Sequence, residues 1–533
     1  MNAYITSRRR GKLHLVAALL LAASIASPGC AEKPSRPNIV LITADTLRPD
    51  HLGAYGYARA KTPSIDLIAK IAVRFTQATT PFPRTTPALA SLMTGLWPQH
   101  HGSREVSDPF TGGTTLAQVL VKNGYATFGV SANWVASRKQ NMQRGFQGFI
   151  SMKHSKTNDR ARFVTDRALK LSRLAPKEQP LFLWAHYMDP HFPYNPPKSY
   201  RGTPPGTSCR KVMRAISQKR LRLAAVQGNR EGIGERILED CTQLYDAEIA
   251  YMDTQIGRLL KGLESDGRLE NVVIVFTADH GEAFGEAGLF YEHGSTVHDA
   301  NLHVPLLITA PGLTPGVDDE VIRLEDLMPT ILALVGLPED QVPLTDGVDQ
   351  SWRLGTSPRP DGAVELVALA ESGSALLVGA FSQPFEGLSA KQNCVHGPRY
   401  SLCTLPRNGT GLYDRIENPQ LTVDVSAAHP EELAVLRAAR ERWKLGGARQ
   451  RAARSRRYKL VESPRLEGGY ARALYDLEAD PAERRNVIEE HPEVAARLSD
   501  QLGVWSASIP SQAPPPERDE EQLEMLRALG YVD

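Results

Sequence analysis

Residues 38–45, NIVLITAD, decide the architecture. From Asn38 to Ala44 the run is almost wholly apolar, rich in Ile and Val, and shows no alternation. That pattern belongs to a strand covered on both faces, as in a parallel sheet. Asp45 stands directly at its end. In open α/β sheets ligands bind outside the carboxyl ends of the strands. A carboxylate there is therefore a candidate for holding a hard cation, and a helix cap or turn Asp is the plainer alternative.

Other runs repeat the form. Residues 181–186, LFLWAH, lead into YMDPHFPY, and residues 272–276, VVIVF, lead into TADHGE. Residues 126–131 and 304–309 read as further strands. Between them lie helical patterns at 64–75, 114–123 and 325–335. A long one is carried by Ile237, Cys241, Leu244, Tyr245, Met252, Ile256, Leu259 and Leu260 at spacings of three and four. The order predicts an α/β fold with a mostly parallel central sheet flanked by helices on both faces. We expect a catalytic domain over 37–450, with a linker-like crossover at 338–360 and strand-like stretches at 364–369, 375–380 and 399–404. Residues 451–533 read as a smaller C-terminal α+β subdomain containing an antiparallel sheet. Its strands fall at 456–462 and 473–477, its helix at 491–502, and a Pro-rich arm and short terminal helix follow. The basic residues of 437–457 read as a solvated face.

At 533 residues the chain is long enough for one large core and a smaller one. Its 62 basic and 60 acidic residues leave a formal charge of +2, which gives no reason to expect nucleic acid as a partner. Residues 1–30 read as a signal peptide: Arg8, Arg9, Arg10 and Lys12 precede an apolar run at 13–26, too short for a comfortable membrane span. The run ends in Ser27-Pro28-Gly29-Cys30. A small residue before Cys resembles a bacterial lipoprotein signal with Cys30 as the lipid anchor, though Ser27 stands where that signal usually has Leu. Plain cleavage nearby is the alternative. Both predict export, to the bacterial periplasm or to a membrane-anchored lipoprotein. Cys209, Cys241, Cys394 and Cys403 remain. Cys394 with Cys403 would close a short loop and Cys209 with Cys241 a longer one, and sequence does not choose the pairing.

Residues 79–102, TTPFPRTTPALASLMTGLWPQHHG, have the layout of a nucleophile segment. Pro87 sits early in an apolar helical pattern of Leu89, Leu92 and Met93 that Gly95 ends. A first-turn Pro costs no hydrogen bond. A hydroxyl just before it stands at the positive end of the helix, beside free N–H donors, where an anion binds well. An ordinary Thr cap is the alternative.

IVLITADTLRPDHLGAYGY, the 79–102 segment, IVFTADHGEAFGE and EHGSTVHDANLHVPLLITAPG occur in this order and together resemble the sulfatase family of the alkaline-phosphatase superfamily. YDAEIAYMDTQIGRLL, LYDLEADPAERRNV and the terminal LRALGY extend the resemblance over nearly the whole chain after the leader. It implies an ester hydrolase holding one divalent cation through Asp45, Thr85, Asp279 and His280. His191 and His293 would contact the substrate, His293 at the scissile ester oxygen. Calcium is the first expectation. A His at 280, where many members have Asn, supplies nitrogen and leans towards manganese or zinc. His298 and His303 could alternatively make a second metal site, though five apart they are poorly spaced for one helical face.

The chain departs from the family pattern in several places. Aligning SLMTG with the usual SLLTG puts the motif C/S-x-P-x-R on Thr85-Thr86-Pro87-Ala88-Leu89. Thr85 stands where Cys or Ser is normally converted to formylglycine, and Leu89 replaces the Arg that supports it. Arg84 is a candidate substitute from the other side. Thr46 replaces a second metal-binding Asp, and SANW replaces a Lys-bearing GKWH-like motif, with Asn133 close enough in sequence to reach the site. Three readings follow. Thr85 attacks directly, as in phosphodiesterase and phosphotransferase relatives. Or the protein cleaves sulfuric esters less efficiently. Or it binds glycan or small-molecule sulfate or phosphate esters without turnover. The loops at 137–162 and 199–234 carry no interpretable motif for the substrate.

Overall fold

The structure is a computed structural model. It describes residues 36–509 except 107, 153–159, 202–208, 212–234, 287–289, 356–358, 361–364, 373–386, 390–393, 397–398, 406–408, 415–416, 418–422, 443–448 and 466–468. The expected leader with Cys30, Pro-rich arm, terminal helix and strand at 375–380 all lie outside the described residues.

An eight-stranded sheet forms the centre. Its strands are β1 (Asn38–Ala44), β2 (Val73–Thr79), β3 (Ala126–Ser131), β4 (Gly148–Ser151), β5 (Leu181–Tyr187), β6 (Val272–Ala278), β9 (Leu306–Thr309) and β10 (Gly316–Arg323). The small strands β7 (Ala283–Phe284) and β8 (Phe290–Glu292) pair with each other beside it. The order across the sheet is β10-β2-β9-β6-β1-β5-β3-β4. Only β9 runs antiparallel to its neighbours, β6 and β2. The apolar runs are interior strands as expected: Ile39, Val40, Leu41 and Ile42 are fully buried, as are Phe182, Leu183 and Trp184. With both faces covered, each residue loses water whichever way it points, so alternation is absent.

Helices pack on this sheet at Pro63–Ile71, Leu116–Lys122, Arg160–Ser172, Glu235–Ser265 and Leu327–Leu334. The long one buries Cys241, Leu244, Tyr245, Met252, Ile256 and Leu259, with Ile237 and Leu260 partly buried, as the spacing predicts. Thr115 caps its helix through a reciprocal bond pair with Gln118. The helix expected over 64–75 stops at Ile71, and Val73 begins β2. β-branched Val73 and aromatic Phe75 face the core of the sheet there, and that packing outweighs a helical period of two turns.

A second sheet is antiparallel: Ala368–Glu371, Arg451–Arg454, Tyr458–Pro464 and Tyr470–Asp476, with the helix Pro492–Ala507 against it. A third, also antiparallel, spans residues 387–414, where Cys394 stands opposite Cys403 in register. Cys209 and Cys241 form a disulfide, and Cys403 is disulfide-bonded. The reading of 437–457 as a solvated face is wrong at two positions. Arg449 and Arg454 are buried, because each meets a carboxylate from the central part of the chain, Glu105 and Asp299. Among the described residues no helix is long and apolar enough to cross a membrane.

Candidate active site

Register brings the site together. β1 lies between β5 and β6, all three parallel, and Ala44 pairs with both Tyr187 and Ala278. One residue further on, Asp45 and Asp279 leave the ends of adjacent strands, while His186 is the penultimate residue of β5. Asp45 and Asp279 still bond through their amides to Tyr187 O at 2.8 Å and Ala44 O at 3.3 Å, so their side chains are held by the sheet edge rather than by a free loop.

Asp45, His186 and Asp279 each offer a ligand atom, all within 4.8 Å of one another and all buried. Asp45 Oδ1, Asp279 Oδ2 and His186 Nε2 have no hydrogen-bond partner among the described residues. Buried carboxylate oxygens left unpaired are costly, and a divalent cation at their common point would satisfy all three. The remaining ligand atoms are already aligned. Asp279 Oδ1 accepts from the amides of Thr46 at 3.2 Å and His280 at 2.9 Å. Asn133 Nδ2 donates to Asp45 Oδ2 at 2.5 Å. His186 Nδ1 lies 2.9 Å from Thr43 Oγ1, which accepts from Trp184 Nε1.

The hydroxyl of Thr85 points into the same place. Thr85 opens the helix Thr85–Thr94, fully buried, with Arg84 at the cap position and Gly95, at φ +68°, closing the other end. Thr85 Oγ1 lies 3.5 Å from Asp45 Oδ2 and 3.4 Å from His280 Nε2. His280 Nε2 is in turn 3.8 Å from Asp45 and 3.6 Å from Asp279. Because a carbonyl only accepts, the 2.9 Å contact to Gly281 O puts the proton on His280 Nδ1 and leaves Nε2 bare. Burial pushes the pKa of this imidazole down, which keeps that lone pair available.

The other two predicted His residues are also here. His293 stacks on His280 with ring centroids 4.5 Å apart, and His191 meets His293 edge-on at 5.0 Å. Burial lowers His191 to about 4. Glu282 Oε1 takes the Nδ1 of His293 at 2.8 Å, and its other oxygen accepts from Tyr194 Oη at 2.7 Å. Burial raises Asp279 well above the carboxylate range, and the neighbouring charge of Asp45 adds to it. Burial also works to raise Asp45, but His191, His186 and His280 hold it below that range.

His186, Glu282, Tyr245 and the Asn133–Asp45 bond were missed or left open by sequence reasoning. His186 had a signal: a titratable residue closing an otherwise apolar buried strand. Tyr245 did not, since its spacing reads as core. Its hydroxyl donates to Thr46 O at 2.7 Å and accepts from Arg48 N at 2.9 Å, so it ties down the turn after Asp45. Thr46 takes φ +54° in that turn, an uncommon conformation for a β-branched residue. Arg48 and Asp50 pair at 2.7 Å, and Arg48 also reaches Glu286. His298 and His303 do not meet as a second metal site: His298 pairs with Glu483, and His303 Nε2 faces Thr76 O.

The sulfatase family model matches residues 37–337, more than half of the chain. The chain belongs to the sulfatase family. Among curated sulfatases, the ulvan-active sulfatase of Formosa agariphila is 25% identical over 422 residues, covering 73% of this chain and 76% of that one. Human arylsulfatase A is 29% identical, over 61% of this chain and 69% of its own. A phosphonate monoester hydrolase from Silicibacter pomeroyi superposes with a TM-score of 0.61 at 20% identity, covering 89% of this chain and 96% of that one. A structure in complex with its substrate D-glucosamine-2-N, 6-O-disulfate gives a TM-score of 0.62 at 18% identity, covering 91% and 100%. These structural likenesses carry the fold. Membership makes the protein a sulfatase-family ester hydrolase.

Proposed function

We propose that this protein hydrolyses phosphoric esters, diesters foremost, with Thr85 as the direct nucleophile in a site built for one divalent cation. The observation that carries the reading is the Thr85 hydroxyl, buried at a helix start with a carboxylate and a bare imidazole nitrogen 3.5 and 3.4 Å away. When bound, the cation would be held by Asp45 and Asp279 with His186 or His280. It would supply positive charge to the non-bridging oxygens of the ester and lower the pKa of the hydroxyl. Calcium follows from the family resemblance, but two imidazoles at the point add nitrogen donors and favour manganese or zinc.

The chain's own residues account for the rest. Asp45 Oδ2 is an acceptor within reach of the Thr85 proton, and so is His280 Nε2 when His186 is the imidazole that holds the cation, so the proton has an exit and the oxygen a lone pair for phosphorus. The Thr85 Oγ–P bond forms, the ester P–O bond breaks, and the alcohol leaves with a proton from His293, which neutral His191 flanks edge-on. Glu282 holds His293 in the orientation for that transfer. Water then cleaves the phosphothreonine, releasing a phosphate ester and restoring Thr85.

Phosphorus suits this chemistry better than sulfur. A sulfated Thr has no geminal hydroxyl with which to expel sulfate, and the hydrate of formylglycine supplies one. Sulfate esters of glycans remain the second reading, favoured by the named activity of the ulvan-active relative. Peptide mapping of protein quenched during turnover of a bis-aryl phosphate tests the proposal. A phosphoryl group on Thr85, together with loss of turnover in Thr85→Ala, is the expected result. Undiminished turnover of that variant sinks it.

A further inference from the structure

We infer that Arg84 contributes the positive charge that receives the anionic end of the substrate, in place of the arginine absent from position 89, and that Glu105 and Arg449 are the positioning residues that hold it there. The inference rests on the reading of Thr85 as the reacting group.

Arg84 is the residue next to Thr85 and the cap of its helix. Its backbone is extended, with φ −148° and ψ 145°, so its side chain leaves the helix axis instead of joining the buried face of Leu89 and Leu92. The guanidinium lies across Gly294, directly after His293. A Cβ added at Gly294 would stand 2.2 Å from Arg84 Nε and 2.8 Å from its Cγ. Gly294 takes φ +98°, so both its space and its backbone exclude a side chain. Arg84 thus runs from the position before Thr85 to Gly294, the neighbour in sequence of the His proposed for the leaving oxygen.

A buried guanidinium needs compensation. Arg84 Nη1 donates to Glu105 Oε2 at 2.8 Å, and Arg449 Nη2 donates to Glu105 Oε1 at 2.8 Å. Arg449 Nη1 also donates to the carbonyls of Arg104 and Ser372. All three side chains are nearly inaccessible, at 6, 8 and 3% exposure for Arg84, Glu105 and Arg449. One carboxylate shared by two guanidiniums leaves a net positive charge, and Arg84 is the member beside the reacting groups. The chain reaches the same end as a motif arginine one helical turn along, but from the opposite side of the hydroxyl. Leu89 is then free to be core, and it is fully buried. The cluster also gives the C-terminal sheet a part in the site, since Arg449 stands just before its strand Arg451–Arg454.

The test uses inorganic phosphate as probe, measured by titration calorimetry on the purified full chain at fixed ionic strength and saturating divalent cation. Arg84→Gln should weaken phosphate binding about tenfold to a hundredfold, the worth of one charge-assisted hydrogen bond. Parent-like phosphate affinity in a folded Arg84→Gln protein overturns the inference. If that variant does not fold, Gly294→Ala decides, because it pushes the guanidinium aside without removing the charge. A weakening of the same size supports the inference, and unchanged binding overturns it. Failure of the nucleophile reading looks different: Thr85→Ala would retain turnover while the phosphate titrations still report on Arg84.

Discussion

Replacing Asp279 by Asn should make the metal-free protein more stable while abolishing its response to divalent cations. Asp45 and Asp279 present unpartnered oxygens within 4.8 Å of one another in a fully buried site. Two unit charges at that distance repel by about 3.5 kcal/mol at an effective dielectric constant near 20. In Asp279→Asn the Oδ1 position still accepts from the amides of Thr46 and His280. The new Nδ2–H group replaces the unpaired Oδ2 and carries no charge towards Asp45. Part of the repulsion is already relieved in the wild type, because burial and Asp45 raise the pKa of Asp279 and let it take up a proton. The folded-state pKa lies above the unfolded one, so that relief is complete at low pH and fades as pH rises. The Asn variant should therefore gain almost nothing near pH 4 and progressively more as pH rises through the raised Asp279 pKa, towards about 2–3 kcal/mol once that carboxylate is charged. Urea denaturation in chelator measures it. With manganese at a hundred times its dissociation constant, the wild type should gain about 2.7 kcal/mol and the variant almost none. A variant less stable than wild type in chelator, with the same gain from manganese, would refute the reasoning about a charged pair awaiting a cation.

The Glu282 carboxylate aligns His293 and receives Tyr194. Glu282→Gln should lower kcat on a bis-aryl phosphate by about 10- to 100-fold with little change in melting temperature; unchanged kcat would remove Glu282 from the mechanism. His101 is fully buried beside Ser91 Oγ at 3.0 Å, and burial lowers its pKa to about 3. The folded state then binds fewer protons than the unfolded one between that value and the ordinary 6.5, so stability is lost as pH falls through this window. Wild type should lose about 2 kcal/mol more than His101→Gln between pH 7 and pH 5, as read from urea midpoints; equal losses would count against a neutral buried imidazole.

Much of the site was legible because its residues close strands. Asp45 and Asp279 each follow a run of buried apolar residues, and the carboxyl end of a strand in an open α/β sheet is where ligands bind. The roles of Thr85, His191, His280 and His293 came from the family resemblance, and the structure places them around one point. The antiparallel direction of β9 was not legible, because the run at 304–309 reads the same in either direction. The burial of Arg449 was not legible either, because a run of basic residues looks solvated until its carboxylate partners are known.

What the sequence determined by itself is local: strands from unbroken apolar runs, helices from their period, the Thr85 helix from Pro87 and Gly95, and the polar residue at each strand end. Only the tertiary structure decided that β1 lies between β5 and β6, so that His186 joins Asp45 and Asp279. It alone paired Glu282 with His293 and Arg84 with Glu105 and Arg449. The physical reason is range. Periodicity and turn chemistry act over a few residues, whereas strand order and the pairing of buried charges are settled by packing between segments hundreds of positions apart.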